Sequence, residues 1–471
     1  MRPEESAFRM EPDSMGDVRV PSAAYWGAQT QRAVANFSIS SLRIPIPLIR
    51  ALGTVKAAAA SVNRDLGLLE AKIADAIVRA AGEVAEGNWD SHFPVDVFQT
   101  GSGTSWNMNA NEVISNRANE ILGSPLGSRS PVHPNDHVNR GQSSNDVIPT
   151  AINIADRIEA DRLASALKKL ASSLSRKGDE FAGVLKLGRT HLQDAVPMSL
   201  GQEFSGYARQ IEKARERLLA CYPSLEELAI GGTALGTGIN THPEFARRVV
   251  AEISARAGTA FRQAANLFEA EAARDAQVEL MGAQNGLSVA LIKISNDLRL
   301  LSSGPRAGFA EIALPPLQPG SSIMPGKVNP VILEMTIQAA AHVMGKCLSV
   351  SVGGQTGPLE LNMAMPLIAF ETLSGLDLLS RACLALAERC VDGIEAGVEK
   401  CGEWIEKSLA LVTPLALKIG YDRAAAIAHK AMKEKRTIRE IVIAEGILSA
   451  EEADRILDPS SMLGPRAEAT G

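Results

Sequence analysis

Eleven residues from Gly320 to Pro330, GSSIMPGKVNP, carry two adjacent hydroxyls, two glycines and a lysine. A loop of that make-up can fold over an anion: Ser321 and Ser322 are short hydrogen-bond donors, and Lys327 is a point charge on a flexible stem. Asn329 is placed to cap a helix whose first position is Pro330. A plain Gly/Ser/Pro linker has the same composition, so the segment alone does not decide between the two. Beyond it, Glu334, Gln338 and His342 recur every four residues in VILEMTIQAAAHVMG and draw a polar stripe along an apolar helix. Such a stripe either faces solvent or sets a carboxylate against an imidazole to orient a base.

Upstream, GRTHLQDAVPMSLGQEF (188–204) sets Thr190 and His191 beside Arg189 and ahead of a helix-like run. His191 can titrate near neutral pH and act as a general base, although a lone histidine is more often structural. The loops TGSGTSWNMNANE (100–112) and GQSSNDVIPT (141–150) are rich in hydroxyls and amides and lead into helices, whose N-termini favour carboxylates. Ordinary N-capping accounts for either loop taken alone. His133 and His137 stand four apart with Pro134 between them and no HExxH or cysteine pattern, which argues against a metal site. The lack of a GxSxG elbow removes the Ser/His/Asp hydrolase arrangement.

Loops like these need rigid elements behind them. Leu163, Leu167, Leu170 and Leu174 recur at helical spacing, as do Leu379, Cys383, Leu386 and Cys390. The stretch 283–301 is apolar on more than one face and stops before Gly304-Pro305, as a helix packed by several neighbours does. Strand signals are thin: GDVRVP alternates weakly, no βαβ series appears, and aromatic residues are only 4% of the chain. The fold class is therefore mainly α, a three-domain subunit with a long central helical bundle. The expected divisions are an N-terminal domain over 1–140, the long-helix bundle over 141–400 and a small helical domain over 401–471. Ser449 with Glu452 has the spacing of a capping box, and the final AEATG is expected to fray.

Composition narrows the function. Lysine and arginine number 48 against 54 acidic residues, a net charge of −6 with no basic block, which argues against a nucleic-acid partner. No run of about 18 apolar residues is present, so no membrane partner is expected. Five scattered cysteines without a CxxC pair point to a reducing compartment and a cytoplasmic protein.

Taken together, these segments resemble the aspartase and fumarase superfamily, and within it the class II, iron-independent fumarases, from about Met10 to Pro465. GSSIMPGKVNP is the superfamily signature. YWGAQTQRA (25–33), IPLIRA (46–51), HFP (92–94), TGSGT (100–104), HPNDHVN (133–139), SSND (143–146), GYDRAA (420–425) and DPSSMLGP (458–465) are similar to the fumarase branch. The resemblance implies a homotetramer whose central helices form a common bundle, each active site being built from loops of three subunits. It also implies a small dicarboxylate substrate, reversible trans addition of water to fumarate to give L-malate, and no metal or organic cofactor.

By the same resemblance, Ser321 is the base that takes the carbon-bound proton. Lys327, Val328 and Asn329, with Ser322 and Thr190, hold the carboxylate that gathers charge, and His191, oriented by Glu334, handles the water. Ser102, Gly103, Thr104, Ser143, Ser144 and Asn145 bind the second carboxylate and the hydroxyl, while His133, Pro134, Asn135 and Asp136 match a secondary anion pocket. Some borders lean instead toward aspartases: Val331, Ile332 and Leu333 after Pro330, Ser105-Trp106, and RTHLQDAVPM. Aspartate ammonia-lyase is thus the alternative, with Ser144, His133 and GYDRAA favouring the hydratase. A noncatalytic helical scaffold has no physical use for Ser321, Lys327, Asn329, His191 and Glu334 together.

Overall fold

FRMEPD and GDVRVP pair as an antiparallel hairpin, Phe8–Asp13 against Gly16–Pro21, turning at Gly16 with φ +112°. The structure, a computed structural model, describes residues 7–465; the AEATG tail lies outside the described residues. Helices dominate after the hairpin. Ile46–Asp65 is buried on nearly every face, and Gly53 lets the helix Ala71–Glu86 approach closely, since a Cβ there would stand 2.6 Å from Ala85 N. Leu48, Leu52, Val55 and Ile77 are completely buried, each contributing about 1.5–3 kcal/mol through lost apolar surface.

The residues divide into two compact units. One comprises 7–164, 216–288 and 341–380, and its core joins Leu48, Leu52, Trp106, Ile114, Ile148 and Phe245. Trp106 is fully buried and its indole N–H reaches Val95 O at 3.4 Å, so Trp106 is a packing choice, whereas Ser105 Oγ lies 3.2 Å from Thr100 Oγ1. The other comprises 165–215, 289–340 and 381–465. In it Ile405, Leu411, Leu415, Ile441 and Leu457 pack with Leu187. The Ser449–Glu452 capping box is present in both directions, and Thr437–Glu440 forms a second.

The expected helices appear, with longer bounds. Leu163 to Leu174 lie buried within Ser144–Glu180, the stretch 283–301 lies within Asp275–Leu301, and Leu379, Cys383 and Leu386 are buried within Met365–Arg389. One stretch differs. The residues expected to lead straight into a helix form an antiparallel hairpin, Leu185–Thr190 against Gln193–Ser199, before the helix Leu200–Ala220 begins. Its turn uses His191 and Leu192 at φ +55° and +60°, the left-handed pair of a type I′ turn, without the Asn-Gly that usually announces one. Gly188 sits at the register shift of the hairpin, where a Cβ would stand 2.7 Å from Val196 O.

Candidate active site

The TGSGT loop is clamped before it reaches its helix. Gly101 O accepts from Met365 N at 3.0 Å, and a Cβ on Gly101 would fall 2.0 Å from Met363 O, so only glycine fits. Gly103, at φ +71°, turns the chain into the helix Thr104–Ile121. Ser102 Oγ and Thr104 Oγ1 lie 2.8 Å apart, one donating to the other.

The SSND segment opens the helix Ser144–Glu180 and lies against this loop in the same unit. Asn107 Nδ2, from the first turn after TGSGT, donates to Ser144 Oγ at 3.2 Å. Asn145 donates from its side chain to Ala234 O at 2.7 Å. Asp146 is fully buried and accepts from the backbone N–H of Ser143, Gly231 and Thr233 at 2.9, 3.0 and 3.1 Å, tying the segment to the glycine-rich stretch 231–238. Burial pushes the Asp146 carboxyl up to about 6 against those three donors. It likewise pushes the fully buried Lys56 ammonium down to about 7 against the field of Asp146.

Residues 133–136 take up a single wide turn, Pro134–Val138, with Pro134 buried and Asn135 and Asp136 exposed. His133 Nε2 lies 2.6 Å from Arg129 Nη2 and its Nδ1 lies 3.2 Å from Asp136 Oδ2. Burial holds His133 below the usual histidine value, with Asp136 opposing and Arg129 assisting. An open cleft of about 730 Å³ brings Asn135 and Asp136 together with Ser143. Arg140 and His242 line it as well. The tract 231–243 is legible in the sequence as a Gly/Pro loop fit for chemistry, but nothing there singles out His242, and no signal marks Arg140.

In the second unit, Thr190 and His191 stand exposed at the tip of the hairpin. The base of that hairpin is held by buried charge. Arg189 reaches Glu311 at 2.8 Å, and Lys186 reaches Glu311 at 3.2 Å and Glu203 at 3.0 Å. Lys186 and Glu311 are at most 2% exposed, so these pairs fix geometry where water cannot compete.

GSSIMPGKVNP is a loop closed on itself. Gly320 N donates to Lys327 O at 2.7 Å, and Asn329 Nδ2 donates to Gly320 O at 2.8 Å. The expected cap at Asn329 is not made: its Oδ1 accepts no helix N–H among the described residues, its Nδ2 ties the neck of the loop, and the helix runs Val331–Gly354. Ser321 Oγ accepts from the backbone N–H of Ile323 at 3.2 Å and of Met324 at 3.1 Å. Ser322, Lys327 and Val328 are exposed. Glu334 is half-buried in the first turn of the helix while Gln338 and His342 face outward. Among the described residues no hydrogen bond or ion pair within the chain joins His191 to Glu334.

Residues 16–345 match the family described as Lyase, and residues 411–464 the family described as Fumarase C C-terminus. The chain is 52% identical over 465 residues to mitochondrial fumarate hydratase of Rattus norvegicus, covering 98% of this chain and 92% of that one. It is 53% identical over 457 residues to class II fumarate hydratase of Halobacterium salinarum, covering 97% of each. Among solved structures, the recombinant class II fumarase from Schistosoma mansoni aligns at a TM-score of 0.94 with 41% identity, covering 98% of this chain and 100% of that one.

Proposed function

The chain belongs to the class II fumarate hydratase family, and from that premise we propose how its residues divide the work of adding water to fumarate. It is a carbon–oxygen lyase that interconverts fumarate and L-malate. The borders that lean toward aspartases do not change that class, since relatives more than half identical over at least 97% of this chain are named fumarate hydratases.

Malate dehydration begins by removing a weakly acidic proton from the carbon next to a carboxylate, and the charge that develops must meet donors already in place. We assign the base to Ser321. A free serine hydroxyl is far too weak, but an Oγ that accepts two backbone N–H groups is stabilised as the alkoxide, and this contact carries the reading. Lys327 and Asn329, with Val328 between them and helped by Ser322 and Thr190, hold the carboxylate that gathers charge. His191, oriented by Glu334, passes the proton to or from water. Ser102, Gly103, Thr104, Ser143, Ser144 and Asn145 bind the second carboxylate and the hydroxyl. His133, Pro134, Asn135 and Asp136 form the secondary anion pocket, which opens into the same cleft as Ser143.

His191 and Glu334 do not meet within one chain, and this supports a homotetramer that builds each site from several subunits. So does a stripe of Met344, Leu348 and Val352 on the helix Val331–Gly354, exposed by 38%, 69% and 53%, which has no reason to stay in water. Cytoplasmic placement is supported by cysteines that are all free. No helix among the described residues is long and apolar enough to cross a membrane. The function is tested by following the fumarate double-bond absorbance with L-malate and with L-aspartate, assaying ammonia in parallel. Fumarate from malate alone is expected, and ammonia released from aspartate would overturn the assignment.

A further inference from the structure

Beneath the SSND segment lies a buried cation to which the reaction assigns no task. Lys56, on the helix Ile46–Asp65, has no exposed surface. Its Nζ donates to Asn139 Oδ1 at 2.9 Å and to Gln142 Oε1 at 3.0 Å. Asn139 Oδ1 also accepts from Asn107 Nδ2 at 3.3 Å and Asn111 Nδ2 at 3.2 Å. Asn107 Nδ2 then donates to Ser144 Oγ at 3.2 Å. Both Asn107 and Asn111 leave their own Oδ1 buried without a hydrogen-bond partner among the described residues.

Two orphaned carbonyls side by side require a cause, because an amide can turn over and exchange its oxygen for its nitrogen. Two neighbours set the direction: Lys56, which as an ammonium offers only donors, and the backbone carbonyl of Gln142, which accepts from Asn139 Nδ2 at 3.1 Å. Together they turn the Asn139 oxygen toward Lys56, and that oxygen makes Asn107 and Asn111 present nitrogen. Asn107 thereby meets Ser144 with an N–H, so Ser144 Oγ accepts on that side and its own proton points elsewhere.

We propose that Lys56 is a positioning residue of the dicarboxylate site: it fixes the hydrogen-bond direction along Lys56, Asn139, Asn107 and Ser144, so that the Ser144 hydroxyl stands as a donor to the substrate carboxylate. The proposal rests on the assignment of Ser144 as a substrate contact. Without Lys56 the Asn139 oxygen loses its charged partner and only the bond to Gln142 O holds that amide, so Asn107 turns more readily and the Ser144 proton is drawn inward to the Asn107 oxygen.

The test is steady-state kinetics with L-malate, with inhibition by succinate, a saturated four-carbon dicarboxylate, as a binding measurement that involves no chemistry. Lys56→Met is expected to raise KM and the succinate inhibition constant together by about 10- to 100-fold, the value of a hydrogen bond to a charged group, with kcat changed much less. Adding Lys56→Met to Ser144→Ala should raise KM no further. If the double variant binds malate more weakly still, Lys56 acts through its charge and the proposal is overturned. A Ser144→Ala enzyme with unchanged KM would remove the substrate contact itself, a separate failure that takes the proposal with it. Should Lys56→Met not yield folded protein, Asn139→Asp and Asn139→Leu replace it with Lys56 in place. The aspartate is expected to keep KM and the leucine to raise it, and equal effects overturn the proposal.

Discussion

Glu271→Gln should stabilise the protein, and by an amount that grows with pH. Glu271 has no exposed surface, and neither of its carboxyl oxygens has a hydrogen-bond partner among the described residues. Burial pushes it from an ordinary value near 4.5 up to about 8; Asp146 adds to the rise and Arg274 opposes it. The folded state thus holds the proton more tightly than the unfolded chain does. Stability from this group is complete below about 4.5 and is lost as pH climbs through about 8. At about 1.4 kcal/mol per pH unit, the loss reaches about 1 kcal/mol at pH 5, about 3 at pH 7 and about 5 at pH 9. Glutamine keeps the shape and removes the titration, so the variant's advantage over the parent should widen by about 2 kcal/mol between pH 5 and pH 7 and by about 4 by pH 9. Denaturant unfolding followed by circular dichroism, at one fixed protein concentration because subunit association shifts apparent stability, measures that difference. An advantage independent of pH would mean that Glu271 is ionised and satisfied in the folded protein, and the reasoning fails.

Three further outcomes are expected. Ser321→Ala should abolish malate turnover while leaving the circular dichroism spectrum and the oligomer unchanged, since a loop hydroxyl contributes little to packing; normal turnover would remove it as the base. His191→Asn should lower kcat by about 100- to 10,000-fold and flatten the pH profile of the rate, and an unaltered profile would take the imidazole out of the reaction. Leu348→Asp should reduce the mass of the particle seen in light scattering and with it the activity, because a carboxylate on the exposed apolar stripe must be desolvated on association. An unchanged mass would place that stripe outside the interface.

Helices are legible wherever a single face repeats: Leu163 to Leu174, or Leu379 to Leu386, advertise burial by spacing alone. The Ser449–Glu452 box is legible because both partners lie within one turn. The 185–199 hairpin is not, because its left-handed turn is made by His191 and Leu192 instead of glycine or asparagine. Asn329 is drawn instead to a carbonyl nine residues back, its Nδ2 donating to Gly320 O, a partner that no local pattern announces. Lys56 and Glu271 are beyond reach. In TVKAAAASVN a lysine looks like a solvated helix face, and what gives it meaning comes from Asn139 and Gln142, more than eighty residues on.

Within one chain, the groups assigned to hold geometry and the groups assigned to do chemistry differ in one respect. Lys56, Asp146, Lys186 and Glu311 are buried, whereas Thr190, His191, Ser322 and Lys327 face solvent. Rigid support belongs where water cannot compete for the hydrogen bonds, but the base proposed at Ser321 also needs a dry surrounding before its alkoxide form gains from two backbone donors. The loop that carries it holds Ile323 and Met324 in water, exposed by 83% and 50%, at a cost in apolar hydration. In the proposed tetramer the dryness the base needs and the cover the two side chains need would be met by one event, the burial of this loop against bound substrate and neighbouring subunits. A site left unfinished by its own chain is therefore what the proposed tetramer requires, since on this proposal the association that covers the apolar surface would also activate the serine.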